Sequence, residues 1–323
     1  MRQFRFLSVL RGFFSAYTRH LRVEIATTFA ENAEPVANTM QLSVVIITHN
    51  EEANIARTLA SVQPLLSDGK GEIIVVDSGS TDRTVQIAKS YGARIYVEEW
   101  KGYAAQKNSA IEKASGEWIL SLDADEEVSS ELATEIDKTL KYSPAIHKFA
   151  HKNADGSLHP QYVNGCWLPR KNFFLGRWIK HGGFWPDCKL RLFRQGTGRV
   201  KETTVHETIQ VQEYNHGGVS VSSKLLKGAL IHHSYPTLSD YIEHMNRYSS
   251  LGAEMVVAKS KVRFSFTNIV LRPLLTFLYN FFLRLGFLDG REGLLLHLYH
   301  AVYVSWKYAK AWELSRQKNK LSS

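Results

Sequence analysis

Between residues 42 and 125, short apolar runs alternate strictly with helical patterns, and few folds accept that order. Leu42–Ile47, Glu72–Val76, Ala93–Val97 and Glu117–Leu122 read as strands, apolar and rich in β-branched residues. Between them Glu51–Val62, Thr81–Tyr91 and Gly102–Ala114 read as helices, the second with Ser80 as N-cap and Gly92 just past its end. Such alternation implies parallel βαβ units, hence an α/β fold with a mostly parallel sheet flanked by helices. Every strand of that sheet ends on one edge, and ligands bind beyond that edge. Three polar loops fall there: Thr48-His49-Asn50-Glu51, Asp77-Ser78-Gly79-Ser80 and Asp123-Ala124-Asp125.

The third loop carries the most chemistry. An apolar run stops abruptly in two carboxylates separated by one small residue. Their hard oxygens suit Mg2+ or Mn2+, which would bridge to the phosphates of a nucleotide-linked substrate. Taken alone, such a pair is more often a turn or a helix cap. Glu126 and Glu127 follow it, and Ser129-Ser130 are placed to cap a helix beginning near Glu131. The two companion loops outweigh that reading.

Lys and Arg number 40 against 31 Asp and Glu, a formal charge of +9, which favours an anionic partner: nucleic acid, an acidic lipid surface or a polyphosphate. Cys166 and Cys188 imply no disulfide framework and suit a reducing compartment; they stand too far from any histidine ligand pattern for a zinc site. No cleavable signal is expected, since Arg11 cuts the first apolar stretch. No run is long enough to cross a bilayer; the most apolar region, Phe264 to Leu288, contains Arg272, Pro273 and Arg284.

Three regions are expected. Residues 1–40 form an amphipathic helix and a linker: Phe4, Leu7, Leu10, Phe14, Tyr17, Leu21 and Ile25 share one face, accompanied by five arginines, which suits either an anionic membrane or ordinary packing. Residues 41–237 form the catalytic region, divided into a nucleotide-binding half (41–128) and an acceptor half (129–237). Residues 238–323 are helical, with Leu274, Leu275, Phe277, Leu278, Phe281, Phe282 and Leu285 on an apolar face too wide for water, and Tyr303, Trp306, Tyr308 and Trp312 beside cations. This suits a membrane interface, a helical cap with its own core, or an oligomer contact.

The loops resemble those of the family 2 glycosyltransferases, through Ser43-Val-Val-Ile-Ile-Thr-His-Asn-Glu51, Val75-Val-Asp-Ser-Gly-Ser-Thr-Asp82, Gln106-Lys-Asn108 and Leu122-Asp-Ala-Asp125. Within that family the chain is most similar to the lipopolysaccharide core branch that adds glucose to inner-core heptose. Leu168-Pro-Arg-Lys-Asn172, His181-Gly-Gly-Phe-Trp-Pro-Asp187, Leu190-Arg-Leu-Phe-Arg194, Val205-His-Glu207 and Leu288-Asp-Gly-Arg-Glu-Gly293 carry that similarity. The resemblance spans about residues 41–315. It implies a GT-A fold and an inverting, metal-dependent transfer of a sugar, glucose by analogy, from a UDP-sugar to a hydroxyl of a lipid-linked saccharide. The place implied is the cytoplasmic face of a bacterial inner membrane, with the protein peripheral.

The resemblance also implies roles. Thr48, Asn50, Glu51, Asp77, Gly79, Lys107, Asp123 and Ala124 would contact the nucleotide sugar, with Asp77 accepting the uracil N–H and Lys107 beside the pyrophosphate. Asp123 and Asp125 would hold the metal, with His206 as a third ligand or a loop histidine. The acceptor hydroxyl needs a base, and Asp187 and Glu207 are the candidates. His181, His232 and His233 are assigned to hydrogen bonding. One rival of the same fold transfers sugar to polyprenyl phosphate, an acceptor that needs no base. Another is a non-catalytic basic protein binding nucleic acid or membrane, although no nucleic-acid motif is present. Oligomeric state is left open by the sequence.

Overall fold

The computed structural model describes residues 40–141, 149–152, 158–201, 208–211, 214–216, 219–259 and 262–321. The N-terminal amphipathic segment and the Val205-His206-Glu207 stretch therefore lie outside the described residues.

The expected parallel core is present. Strands β1 (Leu42–Thr48), β2 (Gly71–Asp77), β3 (Arg94–Val97) and β4 (Trp118–Asp123) pair in parallel in the order β4-β1-β2-β3. Helices α1 (Ile55–Val62), α2 (Thr84–Ser90) and α3 (Tyr103–Glu112) connect them. The strands read as continuous apolar runs because both faces are covered. Val44, Ile46, Leu120 and Leu122 pack under α1, on Ile55, Leu59 and Val62. Val45, Ile74, Val76 and Ile119 point the other way, onto Ala104 and Ala110 of α3.

Two helices start later than their sequence patterns suggest, for one reason. Backbone N–H groups of Glu51 and Glu52 donate to Thr84 Oγ1 (2.7 Å) and Asp82 Oδ2 (3.1 Å), which holds this segment out of α1. Ser80 caps nothing: its hydroxyl donates to Asp77 and accepts the Asn50 N–H (2.8 Å). Asp82 Oδ1 instead accepts Thr84 N–H at 3.0 Å, where α2 begins.

Beyond β4 the chain turns at Ala124-Asp125 into β5 (Glu126–Val128) and then α4 (Ser130–Lys141), whose Leu132 N–H donates to Ser129 Oγ at 3.2 Å. Glu126 and Glu127 are thus strand residues, not part of a cap. The central sheet continues with antiparallel strands. In chain order the next are β6 (Phe149–Lys152), β7 (Leu158–Leu168), β8 (Arg170–Phe174), β9 (Arg177–Trp178) and β10 (Lys189–Arg194). Strand β10 inserts between β4 and β7, with Leu192 opposite Leu120, which sets Arg191 near the carboxyl end of β4. A hairpin of β11 (Gly198–Lys201) and β12 (Thr208–Val211) follows, then β13 (Tyr214–His216), β14 (Val219–Leu225) and β15 (Leu230–Tyr235).

A second sheet, ordered β5-β15-β8-β9, stands beside the ligand edge of the first. The C-terminal part holds α5 (Leu238–Lys259), α6 (Thr267–Leu283) and α7 (Gly290–Leu321). Met40–Ser323 forms one compact unit. Phe174 and Ile179 from the second sheet share a buried core with Tyr241 of α5 and Leu296 of α7.

Candidate active site

The first two loops are laced to each other. Asp77 is buried (1% exposed), and its carboxylate accepts from Thr48 Oγ1 (2.9 Å), Gly79 N (3.0 Å), Ser80 N (2.8 Å) and Ser80 Oγ (2.5 Å). A carboxylate has about four acceptor positions, and all are taken. Asp77 shapes its loop here; contact with a base would require one of these bonds to exchange. Asn50 bridges the loops, accepting Thr81 N–H at 2.8 Å, from a left-handed conformation (φ 55°) that asparagine tolerates. Gly79 sits at φ 84°, which explains the residue type. Thr48, Asn50, Asp77 and Gly79 therefore build the loops that a nucleotide would meet. Glu51 lies within electrostatic reach of the Asp123-Ala124-Asp125 loop. Burial raises its carboxyl pKa, the Asn54 amide (2.9 Å) opposes this, and the nearby charges of Asp125 and Asp123 raise it further.

At the third loop the structure closes a ring of polar side chains. Asp123 meets Lys107 Nζ at 2.7 Å and the Arg191 guanidinium. Lys107 is only 8% exposed, which rules out a solvated helix residue. Arg191 also donates to Glu126 at 2.7 Å, and Glu126, wholly buried, accepts from Arg170 at 3.0 Å. Arg170 holds Asp187 at 2.6 and 2.9 Å. From Asp187 the ring returns by a neutral arm. Asn172 Nδ2 donates to Asp187 (3.2 Å), Asn172 Oδ1 faces His232 Nδ1 (2.7 Å), and His232 Nε2 lies 3.1 Å from Asp125 Oδ2.

Sheet register creates both arms. Strand β15 pairs antiparallel with β5, setting His232 opposite Glu126, and parallel with β8, setting His232 beside Asn172. Ala124, between the two aspartates, is buried and gives its carbonyl to Thr58 Oγ1 (2.6 Å), which anchors the turn.

The charges follow from these contacts. Burial alone would raise the Asp123 carboxyl, but Arg191 and Lys107 outweigh it and hold it well below the usual range. Asp187 is pulled the same way: burial opposes its charge, while Arg170 and Lys189 (2.9 Å) keep it ionised. Arg191 is held protonated against burial by Asp123 and Glu126, and its Nε is buried with no partner, a donor left unspent.

Asp187 opens into a cavity of about 340 Å³, lined also by Asn172, Phe184, Lys189, Tyr235 and Leu296. Aromatic faces beside convergent polar groups fit a saccharide. The segment carrying Asp187 is clasped from the far end of the chain. Buried Asp289 accepts from Lys180 N (3.2 Å) and His181 N (2.8 Å), and pairs with His181 Nδ1 (2.9 Å). Gly182 lies against His297, where a Cβ would come within 2.0 Å of the ring.

Asp125 and His232 are the residues whose chemistry fits a divalent ion. Asn172 donates its amide N–H to Asp187 and presents an oxygen to His232 Nδ1 (2.7 Å), which also lies 2.7 Å from Ser234 Oγ; the tautomer that satisfies Asn172 carries its proton on Nδ1. A neutral His232 then points a bare Nε2 at Asp125 Oδ2. Two acceptors at 3.1 Å need a positive charge between them, a proton or a metal. An imidazole and a carboxylate suit Mn2+, with the remaining positions left to phosphate oxygens and water. Among the described residues no cluster of three or more His, Cys, Asp or Glu could hold the ion alone. Asp123 differs from the expectation: both its oxygens face cations of the chain. His206 and Glu207 lie outside the described residues.

Sequence reasoning missed Arg170, Arg191, Glu126 and Asn172 as site residues, and gave His232 only a hydrogen-bonding role. A signal existed for Arg191: an arginine inside the apolar strand Leu190–Phe193 must be buried, and a buried arginine must be paired. Glu126 gave none, because its burial depends on a sheet formed with residues a hundred positions later.

Comparison with known proteins identifies the family. Residues 43–196 match the family model "Glycosyl transferase family 2". An uncharacterized glycosyltransferase of Rickettsia typhi is 33% identical over 88% of this chain and 91% of its own length. The lipopolysaccharide core biosynthesis glycosyltransferase LpsC of Rhizobium meliloti is 30% identical over 85% and 93%. A solved mannosyltransferase of Pyrobaculum calidifontis with GDP-Man and Mn2+ overlaps 98% of this chain at 16% identity and a TM-score of 0.39, too loosely to speak to the site. With its parallel core, its three loops on one edge and relatives matched over most of their length, the chain is a member of the family 2 glycosyltransferases.

Proposed function

We propose an inverting glycosyltransferase that moves a hexose, glucose by analogy with the core branch, from a UDP-sugar to a hydroxyl of a lipid-linked saccharide. Lipopolysaccharide inner core is the candidate acceptor, at the cytoplasmic face of a bacterial inner membrane. The observation that carries the reading is the ring: it ties the Asp123-Ala124-Asp125 loop on the donor side to Asp187 in the adjoining cavity. The similarity to LpsC supports the choice of acceptor class.

The donor diphosphate would lie at Asp123-Ala124-Asp125, beside Lys107 and Arg191, the two cations that face Asp123. Asp125 and His232 would hold Mn2+ or Mg2+, and a bound ion there supplies positive charge for the leaving diphosphate. The acceptor oxygen attacks the anomeric carbon from the cavity side as the bond to diphosphate breaks, which inverts the centre. Its proton passes to Asp187. Because Arg170 and Lys189 keep that carboxylate ionised, the base form is always present but weak, so most of the rate must come from orientation and leaving-group stabilisation.

The test is UDP release by purified protein against a panel of UDP-sugars, with and without extracted inner-core lipid, and with EDTA. Acceptor-dependent release lost in EDTA and in D125A is the expected result. Release that persists in EDTA would overturn the metal assignment, and release stimulated by polyprenyl phosphate alone would overturn the acceptor.

A further inference from the structure

Helix α6 carries an exposed apolar stripe with an unusual repeat. Val270 and Leu271, Leu274 and Leu275, Leu278 and Tyr279, and Phe282 and Leu283 are all at least 39% exposed. These pairs recur every four residues. An ordinary α-helix turns every 3.6 residues, so each step of four over-rotates by about 40°. Three such steps would carry the stripe about a third of the way round. This helix winds otherwise: Thr267–Leu271 and Tyr279–Leu283 are π-helical, on either side of α-helical Arg272–Leu278. π-turns hold more residues than α-turns, which takes back the over-rotation and keeps the pairs in line.

The stripe lies in a surface of one sign. Between residues 262 and 300, Arg263, Arg272, Arg284 and Arg291 are exposed. The acids of that stretch are Asp289, buried on the His181 segment, and Glu292, paired with Arg177 at 3.5 Å. Arg284 lies over the Tyr279 ring and Arg272 over Tyr308, at 5.6 and 4.9 Å. Phe287, Leu288, Leu294 and Leu298 extend the apolar patch. No single helix among the described residues is long and apolar enough to cross a membrane, and α6 meets α7 at a 75° bend.

We infer that α6 lies flat in the surface of an anionic lipid bilayer, its straightened stripe among the acyl chains and its arginines at the phosphates. A straight stripe matters only to a helix lying parallel to a plane: every apolar pair then reaches the same depth. At about 1.5 Å per residue the helix is shorter than the roughly 30 Å hydrocarbon core it would otherwise have to span. The inference gives the membrane reading above, on which it rests, a contact surface. It also brings the acceptor side close: Gly182 N–H donates to the Arg284 carbonyl (2.9 Å), so the segment leading to Asp187 is held against the end of the lipid-facing helix.

The test is a depth measurement on the full chain carrying C188S, so that the buried Cys166 is the remaining native thiol. Single cysteines at Leu271, Leu275, Tyr279 and Leu283 each take a nitroxide label. Vesicles of equal parts phosphatidylglycerol and phosphatidylcholine are added. Expected is loss of collision with a water-soluble nickel chelate at all positions, gain of collision with oxygen, and a common depth. Three outcomes would overturn the inference: labels that keep full aqueous access, depths that step progressively toward the bilayer centre, and shielding that appears without vesicles and grows with protein concentration, which marks a second copy as the occupant. UDP-sugar hydrolysis by the same variants is read separately. Unsubstituted protein that binds the vesicles but releases no UDP from any UDP-sugar would count against the proposed donor and leave this inference standing.

Discussion

Arg191 is shared by two carboxylates with different duties, Asp123 on the donor loop and Glu126 in the ring. Leaving one charge of such a buried set without its partner costs about 3–5 kcal/mol. E126Q should therefore destabilise the fold by at most that order, read by denaturant unfolding, because Arg170 and Arg191 lose the negative charge they share while each keeps a second carboxylate, Asp187 and Asp123. Asp187 is separable from this. D187N keeps the side-chain shape, and transfer to acceptor should fall about 10²–10⁴-fold, while UDP affinity by calorimetry stays unchanged; an equal loss of UDP affinity would place Asp187 on the donor instead. For His232, H232Q removes the bare Nε2, and the Mn2+ concentration for half-maximal transfer should rise by tenfold or more; an unchanged metal titration would remove His232 from the ligand set. Asp77, with every acceptor position spent on its own loop, should show its loss in D77A as lower stability together with weaker UDP binding.

The elements divide by how local their information is. Strands β1 to β4 were readable because each is a short apolar run between turn residues, and parallel pairing follows from alternation alone. The second sheet was not readable. Its strands β5, β8, β9 and β15 come from distant parts of the chain, and their pairing is set by tertiary packing rather than by any pattern within each strand. The consequence reaches the site directly, since His232 meets Asp125 only through that sheet. The Leu288-Asp-Gly-Arg-Glu-Gly293 motif was visible, but its use was not: Asp289 serves a backbone segment more than a hundred residues earlier. D289A should strand two backbone N–H donors and the His181 ring, at a cost of about 3 kcal/mol. It should raise the acceptor KM more than the donor KM, measured by steady-state kinetics with each substrate varied in turn; equal effects would show that the clasp serves general stability only.

On the scale of the molecule, the C-terminal helices should make the protein acid-sensitive. Burial lowers the pKa of His244 to about 4, with Arg247 adding to the effect, and lowers that of His300 to about 4, helped by His297 and Lys307. His297 shifts the same way through burial. Each folded value lies below the unfolded one near 6.5, so the unfolded chain takes up protons that the folded chain refuses. Stability should then fall as pH drops from about 6.5 toward 4, each histidine adding a slope of at most about 1.4 kcal/mol per pH unit. Thermal unfolding across that range checks this; a flat profile would show that these rings reach water. The cavity has one further consequence, in the order of synthesis. Its donor-side loops are complete by residue 128, yet Asp289 and Leu296, which clasp and wall it, leave the ribosome about 160 residues later. A chain grows from its N-terminus and its early part can fold first. During translation the nascent protein should hold nucleotide before it can hold a sugar acceptor, and a stop codon after Tyr235 but before Asp289 should yield a chain that binds nucleotide and transfers nothing.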